Sequence, residues 1–301
     1  MSAASDGSPT GEAPVATRSR GARLARRAAA NTGILAGGAI LVVMALIAIF
    51  APLITLSDPF SQDLTQRFLP PFWMERSVPE HWLGTDHLGR DYFARMVYGA
   101  RVSLGVGLGV ALVTGVIGVT LGLFAGFFGG VVDMVISFLI TTRLSLPIVL
   151  VALAAVALVG GSLGTLVVVL GLLLWDRFAV VTRSATQSLA SREFVTGARA
   201  VGRRPLGLIF GEILPNLKGA VIVVATLEVA NAILLEAALS FLGLGVRPPM
   251  PSWGLMIAEG RENILFDPWL IALPGGAICV LVLGVNLLGD GLRDISGPVT
   301  R

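Results

Sequence analysis

The sequence predicts an all-α, polytopic membrane protein with six transmembrane helices, and three observations carry that prediction. Of its 301 residues, 54% are hydrophobic and only 14% charged. Charge-free apolar runs recur along the chain, each able to supply the roughly 20 residues a helix needs to cross a ~30 Å hydrocarbon core. The 22 basic residues include a single lysine, and many of the arginines flank those runs. A soluble domain carries about a quarter charged residues, so this chain lacks the polar skin to meet water on every side. The composition excludes an ordinary cytosolic enzyme, a disordered regulator and a secreted disulfide scaffold, and the single Cys279 forms no internal disulfide. Arginines bordering membrane spans explain the net charge of +3, with no nucleic-acid partner required.

Taken in order, residues 1–32 form a Ser-, Gly-, Ala- and Arg-rich tail expected to be disordered and cytoplasmic. The first span covers 33–56, preceded by Arg18, Arg20, Arg23, Arg26 and Arg27. Pro52 and the bulky Leu53, Ile54 and Leu56 follow it where a signal peptide would carry small residues for cleavage, so the span is retained. An outer loop occupies 57–95. A core at 96–293 then holds five spans, at 102–127, 136–159, 164–182, 218–240 and 268–289, before a cytoplasmic tail at 294–301. Gly129-Gly130 ends the second span and Gly160-Gly161-Ser162 parts the third from the fourth. More arginines fall on the N-terminal side of this arrangement than opposite, which puts both termini in the cytoplasm. Gly105, Gly109, Gly118, Gly122 and Gly126 make one face of the second span small enough for a backbone to approach closely, either within the chain or at a seam with a partner.

The polar connection after the fourth span does not read as a loop. Residues 191–204, SREFVTGARAVGRR, predict a short helix with Ser191 as N-cap and Glu193 in its first turn. Phe194, Val195, Ala198 and Val201 share one side, and Pro205 stops the helix. Gly197 and Gly202 each cost a helix about 1 kcal/mol relative to alanine, which points to a close approach or a turn there. Such a helix either lies on the membrane or docks into a protein groove. The two glycines and the mixed charge favour the groove.

This stretch resembles the cytoplasmic coupling motif of ABC-importer permeases, which reads Glu-Ala-Ala, three residues, Gly, then a spacer to Ile-x-Leu-Pro. Here Thr196, Gly197 and Ala198 stand at the first three positions, followed by Gly202 and by Leu214-Pro215. Thr196, Gly197 and Glu212 depart from the pattern. Three further blocks, Trp82 to Gly107, Leu239 to Arg261 and Asn286 to Asp294, resemble the second permease subunit of dipeptide, oligopeptide and nickel importers. The resemblance implies a type I ABC importer permease fold in the cytoplasmic membrane of a prokaryote. It implies a homologous permease as partner in forming the path, two ATP-binding subunits beneath, and an extracytoplasmic substrate-binding protein that delivers peptide. Nickel, haem and glutathione importers share this permease type. On this view Glu193, Phe194, Gly197, Ala198, Arg199, Gly202 and Arg203 couple the chain to its ATPases.

Other classes were weighed on residues. A P-loop needs GxxxxGK[ST], and the only lysine, Lys218, sits between Asn216-Leu217 and Gly219-Ala220. The chain is therefore expected to be no enzyme and to hold no cofactor, with ATP and Mg bound by partner subunits. His81 and His87 are a poor basis for a metal site; the neighbouring Gly84-Thr85-Asp86 and Gly89-Arg90-Asp91 fit turns and a helix cap better. An ion-coupled secondary transporter would place carboxylates at mid-membrane, which singles out Glu228 and Glu236 in the fifth span. Two readings fit Glu228 with Asn231: a lining of the translocation path, or a satisfied interhelical bond. Arg143 and Asp176 fall at similar depth on adjacent antiparallel spans, so an intramembrane ion pair between them is expected, with snorkelling of Arg143 to the headgroups as the alternative.

Overall fold

A computed structural model describes residues 29–296. Residues 1–28 of the N-terminal tail and 297–301 of the C-terminal tail lie outside the described residues. Helix α1, Thr32–Ile49, begins where the Asn31 side chain accepts a hydrogen bond from the Ile34 amide at 3.1 Å. A short α2, Ala51–Ile54, follows with Pro52 in its first turn. An irregular stretch then runs to Asp91, whose carboxylate caps α3, Tyr92–Phe128, by accepting from the Ala94 amide at 2.7 Å. This 37-residue helix is about 55 Å long and starts inside the predicted outer loop, ten residues before the predicted span. Gly129, at φ +62°, ends it.

The third predicted span, 136–159, is not one straight helix. It divides into α4, Gly130–Leu144, and α5, Ile148–Val159, which bend by 88° at the break. Pro147 disfavours helical geometry for Leu146 and lacks the amide that would continue the ladder, which the apolar run did not reveal. The fourth crossing is also a pair: α6, Leu163–Leu173, capped by Ser162, and α7, Asp176–Ala190, with a 41° bend between them. Helix α8 covers Glu193–Ala200, shorter than the predicted 191–204. Ser191 is not its N-cap; its hydroxyl donates back to the Ser188 carbonyl at the end of α7. Helix α9, Pro205–Leu208, a π-helical turn at Ile209–Ile213, and α10, Leu214–Phe241, run on as one helical rod. Helix α11, Trp253–Gly260, and α12, Trp269–Ser296, complete the chain, α12 reaching beyond the tail boundary predicted at 294.

Helix α3 is the axis of the bundle, packing against α7, α10, α6 and α1, while α12 lies between α1 and α10. Gly118, Gly122 and Gly126 face α7. A Cβ on Gly122 would stand 2.7 Å from the Ala179 carbonyl oxygen, and one on Gly126 2.6 Å from that of Arg183. The small face is thus filled from within the chain at these three positions, whereas Gly105 meets open space. Four continuous helical rods are long and apolar enough to cross a membrane, and there are up to six crossings where each bent pair counts as one span, giving an all-α polytopic architecture. Leu, Val and Ile side chains cover the outward faces, as a lipid solvent permits.

Candidate functional site

Two clusters lie where the sequence places function, and a third lies where it does not. The first surrounds α8. Val195 is fully buried among Leu123, Ile209, Ile213 and Leu217, and the Arg199 guanidinium sits 5.5 Å over the Phe127 ring at the end of α3. These contacts fix one face of α8 to α3 and α10. The opposite face is open: Glu193, Phe194, Gly197 and Val201 are exposed, and nothing lies within 4 Å of a Cβ built on Gly197. Ala198 is half-buried. Gly202 and Arg203 lie beyond the helix rather than in it. Gly202 adopts φ +84°, the left-handed conformation that ends helices and that a side chain strains, so this glycine serves a turn.

Arg203 reaches away from the open face and pairs with Glu212 in the π-helical turn. Its guanidinium crosses Gly211, where any Cβ would collide with it, and its chain passes 3.5 Å from a Cβ on Gly207. Glu212, a departure from the motif when read alone, therefore has a partner nine residues earlier. A wide turn of this kind is common at functional positions in helices.

The second cluster is within the membrane-spanning region. Arg143 Nε lies 3.2 Å from Asp176 Oδ1 and also donates to the Leu173 carbonyl. The two meet at helix breaks, Arg143 in the last turn of α4 and Asp176 in the first of α7, rather than on two straight spans. The Leu173 carbonyl is free to accept because the 41° bend interrupts the helical ladder there. Glu228 is fully buried, with Oε1 3.4 Å from Arg177 Nη1 and 3.4 Å from Asn231 Nδ2. Asn231 is half-buried. Glu236, buried nearby on α10, accepts from the Ser240 hydroxyl at 2.7 Å. Arg177 was absent from the sequence expectations. The signal for it was its own spacing, one residue from Asp176 in an otherwise apolar stretch.

The third cluster closes the opposite end of the molecule. Arg90 Nε donates to Asp86 at 2.7 Å and Nη2 reaches Glu259 at 3.1 Å. Arg95 pairs with Asp86 and, through Nη2, with Glu259 at 2.8 Å. Both arginines are buried, so two cations and two carboxylates form a closed quartet joining the 55–91 stretch to α11. Burial alone would push the Asp86 carboxyl up; Arg95 and Arg90, with the Arg90 and Leu88 amides, outweigh it and hold the group below the usual carboxylate range. His81 bridges Asp91 at 2.7 Å and Gln66 at 3.0 Å, so its ring orders the loop. Asp86, His87 and Glu259 could together offer ligand atoms to a metal, but both carboxylates are engaged by arginines.

A helical bundle with bent crossings and one short amphipathic helix open on one face fits the architecture of a polytopic membrane permease. The chain belongs to the family of binding-protein-dependent transport-system inner-membrane components, whose model matches residues 118–301. Residues 19–71 match the N-terminal transmembrane domain of oligopeptide transport permease C. It is 43% identical over 268 residues to the dipeptide transport system permease protein of Escherichia coli K12, covering 89% of each chain. The di/tripeptide transport system permease protein of Pseudomonas aeruginosa is 40% identical over 89% of this chain and 88% of its own. The oligopeptide transport system permease protein of Bacillus subtilis is 34% identical over 87% and 84%. The chain is a multi-pass inner-membrane component.

Proposed function

We propose that this chain is one of the two permease subunits of an ATP-driven importer for di- or oligopeptides. It forms the translocation path with a homologous permease, receives cargo from an extracytoplasmic binding protein, and is driven by two ATPase subunits that bind ATP and Mg. These three relatives carry dipeptide, di/tripeptide or oligopeptide transport in their names, which favours peptide over nickel, haem or glutathione as cargo. Both termini and α8 are cytoplasmic in this reading, and the Arg90–Asp86–Arg95–Glu259 quartet faces the outside.

The observation that carries the reading is the two-sided character of α8. Val195 anchors it to the ends of α3 and α10, while Glu193, Phe194 and Gly197 are presented outward with no partner among the described residues. A helix attached on one face and open on the other transmits force from whatever seats on the open face. Gly197 and Ala198 permit close seating, Gly202 turns the chain, and Arg199 and Arg203 brace the helix through Phe127 and Glu212. The chain itself performs no covalent chemistry in this scheme.

The test is reconstitution in liposomes with the partner permease, the ATPases and a peptide-loaded binding protein. Radiolabelled dialanine should enter only with ATP and binding protein, and Phe194→Ala should cut uptake at least tenfold while the chain still inserts. Uptake without ATPases under an ion gradient would overturn the assignment.

A further inference from the structure

Helix α7 has an unusual outward face for a segment in a membrane crossing. Phe178, Ala179, Thr182 and Thr186 are buried toward the bundle. The exposed positions within the span are Arg177, Val180 and Val181, followed past its inner end at 182 by Ser184, Gln187 and Ser188. Residues 177, 184 and 188 share one helical face, on which Val180 and Val181 stand between Arg177 and Ser184. Beside it, α10 exposes Leu227 and Leu234 around the half-buried Asn231.

Arg177 is 57% exposed, and its guanidinium is held on one side by the fully buried Glu228. At 1.5 Å per residue it lies about 20 Å along the α6–α7 pair from Leu163, and Glu228 about 20 Å along α10 from Phe241. On the span bounds 164–182 and 218–240, Arg177 stands about 8 Å inside the inner end of its crossing and Glu228 near the middle of its own. A guanidinium at that depth turned toward lipid is costly, and such side chains face a bundle interior or a water-filled cavity. Glu228 Oε2 has no hydrogen-bond partner among the described residues, so the pair is tethered through a single oxygen, leaving most of the five guanidinium donors free. Arg143 and Asp176, the nearest other charges, satisfy each other.

We infer that the exposed face of α7 lines a water-filled translocation path and that Arg177, positioned by Glu228, contacts a carboxylate of the passing cargo. A guanidinium fork matches a carboxylate in two parallel hydrogen bonds, and every peptide with a free C-terminus carries one. Glu228 then serves as the positioning residue and Arg177 as the cargo contact. The inference rests on the importer reading above and assigns that importer a contact point within the membrane.

The experiment uses the assembled complex in liposomes, with Cys279→Ala as background. Arg177→Cys and Ser184→Cys should react with a water-soluble, negatively charged methanethiosulfonate, whereas Val42→Cys, exposed among apolar neighbours on α1, should react only with a lipophilic maleimide. In parallel, Arg177→Gln should lower radiolabelled dialanine uptake at least tenfold, with Arg177→Lys restoring part of it, while loaded binding protein still stimulates ATP hydrolysis. Failure of Arg177→Cys to react with the soluble reagent, while Ser184→Cys past the inner end of the span reacts, overturns the path assignment. Full dialanine uptake by Arg177→Gln overturns the carboxylate contact. Loss of ATP dependence in the unsubstituted complex would instead overturn the importer reading.

Discussion

Replacing Asp86 with alanine should destabilise the chain more than any other single change outside the membrane-spanning helices. The substitution leaves Arg90 and Arg95, 2% and 0% exposed, to share Glu259 alone. Removing one partner of a buried pair costs about 3–5 kcal/mol, because the remaining charge stays desolvated. A chain of this size loses about 2 °C of melting temperature per kcal/mol, so the expected drop is about 6–10 °C. Intrinsic fluorescence of the chain in detergent, followed at one fixed heating rate, reads it directly. Asp63→Ala is the control: that side chain is half-buried and bonded only locally, to Thr65 and Gln66, so its loss removes a single cap and should move the transition by only about 2 °C. The sign with pH is fixed too. The Asp86 carboxyl titrates lower in the folded chain than its ordinary 3.8, so its contribution is complete above that pH and fades as acid passes through the folded value. The gap between Asp86→Ala and the parent should be constant from pH 5 to 8 and close below about pH 3.8. A drop under about 2 °C at pH 7, or a gap that widens in acid, would refute the quartet as the lock on this end of the molecule.

Gly122→Leu should force α3 and α7 apart, since even its Cβ would meet the Ala179 carbonyl; overpacking of this kind costs about 1–3 kcal/mol, and Gly105→Leu, in open space, should melt with the parent. Gly202→Ala should strain the φ +84° turn by about 1–2 kcal/mol without touching any neighbour, whereas Gly197→Ala, within α8, should raise stability in the same thermal assay. If these two glycine variants behave alike, the turn at Gly202 does not depend on glycine.

The membrane class, the crossings and the boundary near Gly129 were legible because apolar runs and charge-free intervals are long-range features that local chemistry cannot disguise. The 88° bend was not: Thr141-Thr142-Arg143 and Pro147 interrupt the run without exceeding the length of one crossing, and a proline marks a break whose angle composition does not encode. The α8 region was legible as a helix from its period, but its ends were displaced because Ser191 found a nearer partner in Ser188. The role of Glu212 was hidden for a similar reason. Its partner Arg203 becomes a neighbour only once the chain has folded back through Pro205 and the π-helical turn. Arg90, Arg95 and Glu259 were invisible as a group because 169 residues separate Arg90 from Glu259, and no pattern within one segment announces such a meeting.

Helix α3 exceeds a ~30 Å hydrocarbon core by about 25 Å and holds no proline along its length. One tip abuts Arg199 and the other carries Arg95 into the charged quartet. In the proposed importer an unbroken rod of this reach would act as a lever. A tilt of about 10° sweeps one tip by roughly 10 Å relative to the other, so events at the two surfaces of the membrane are mechanically one event.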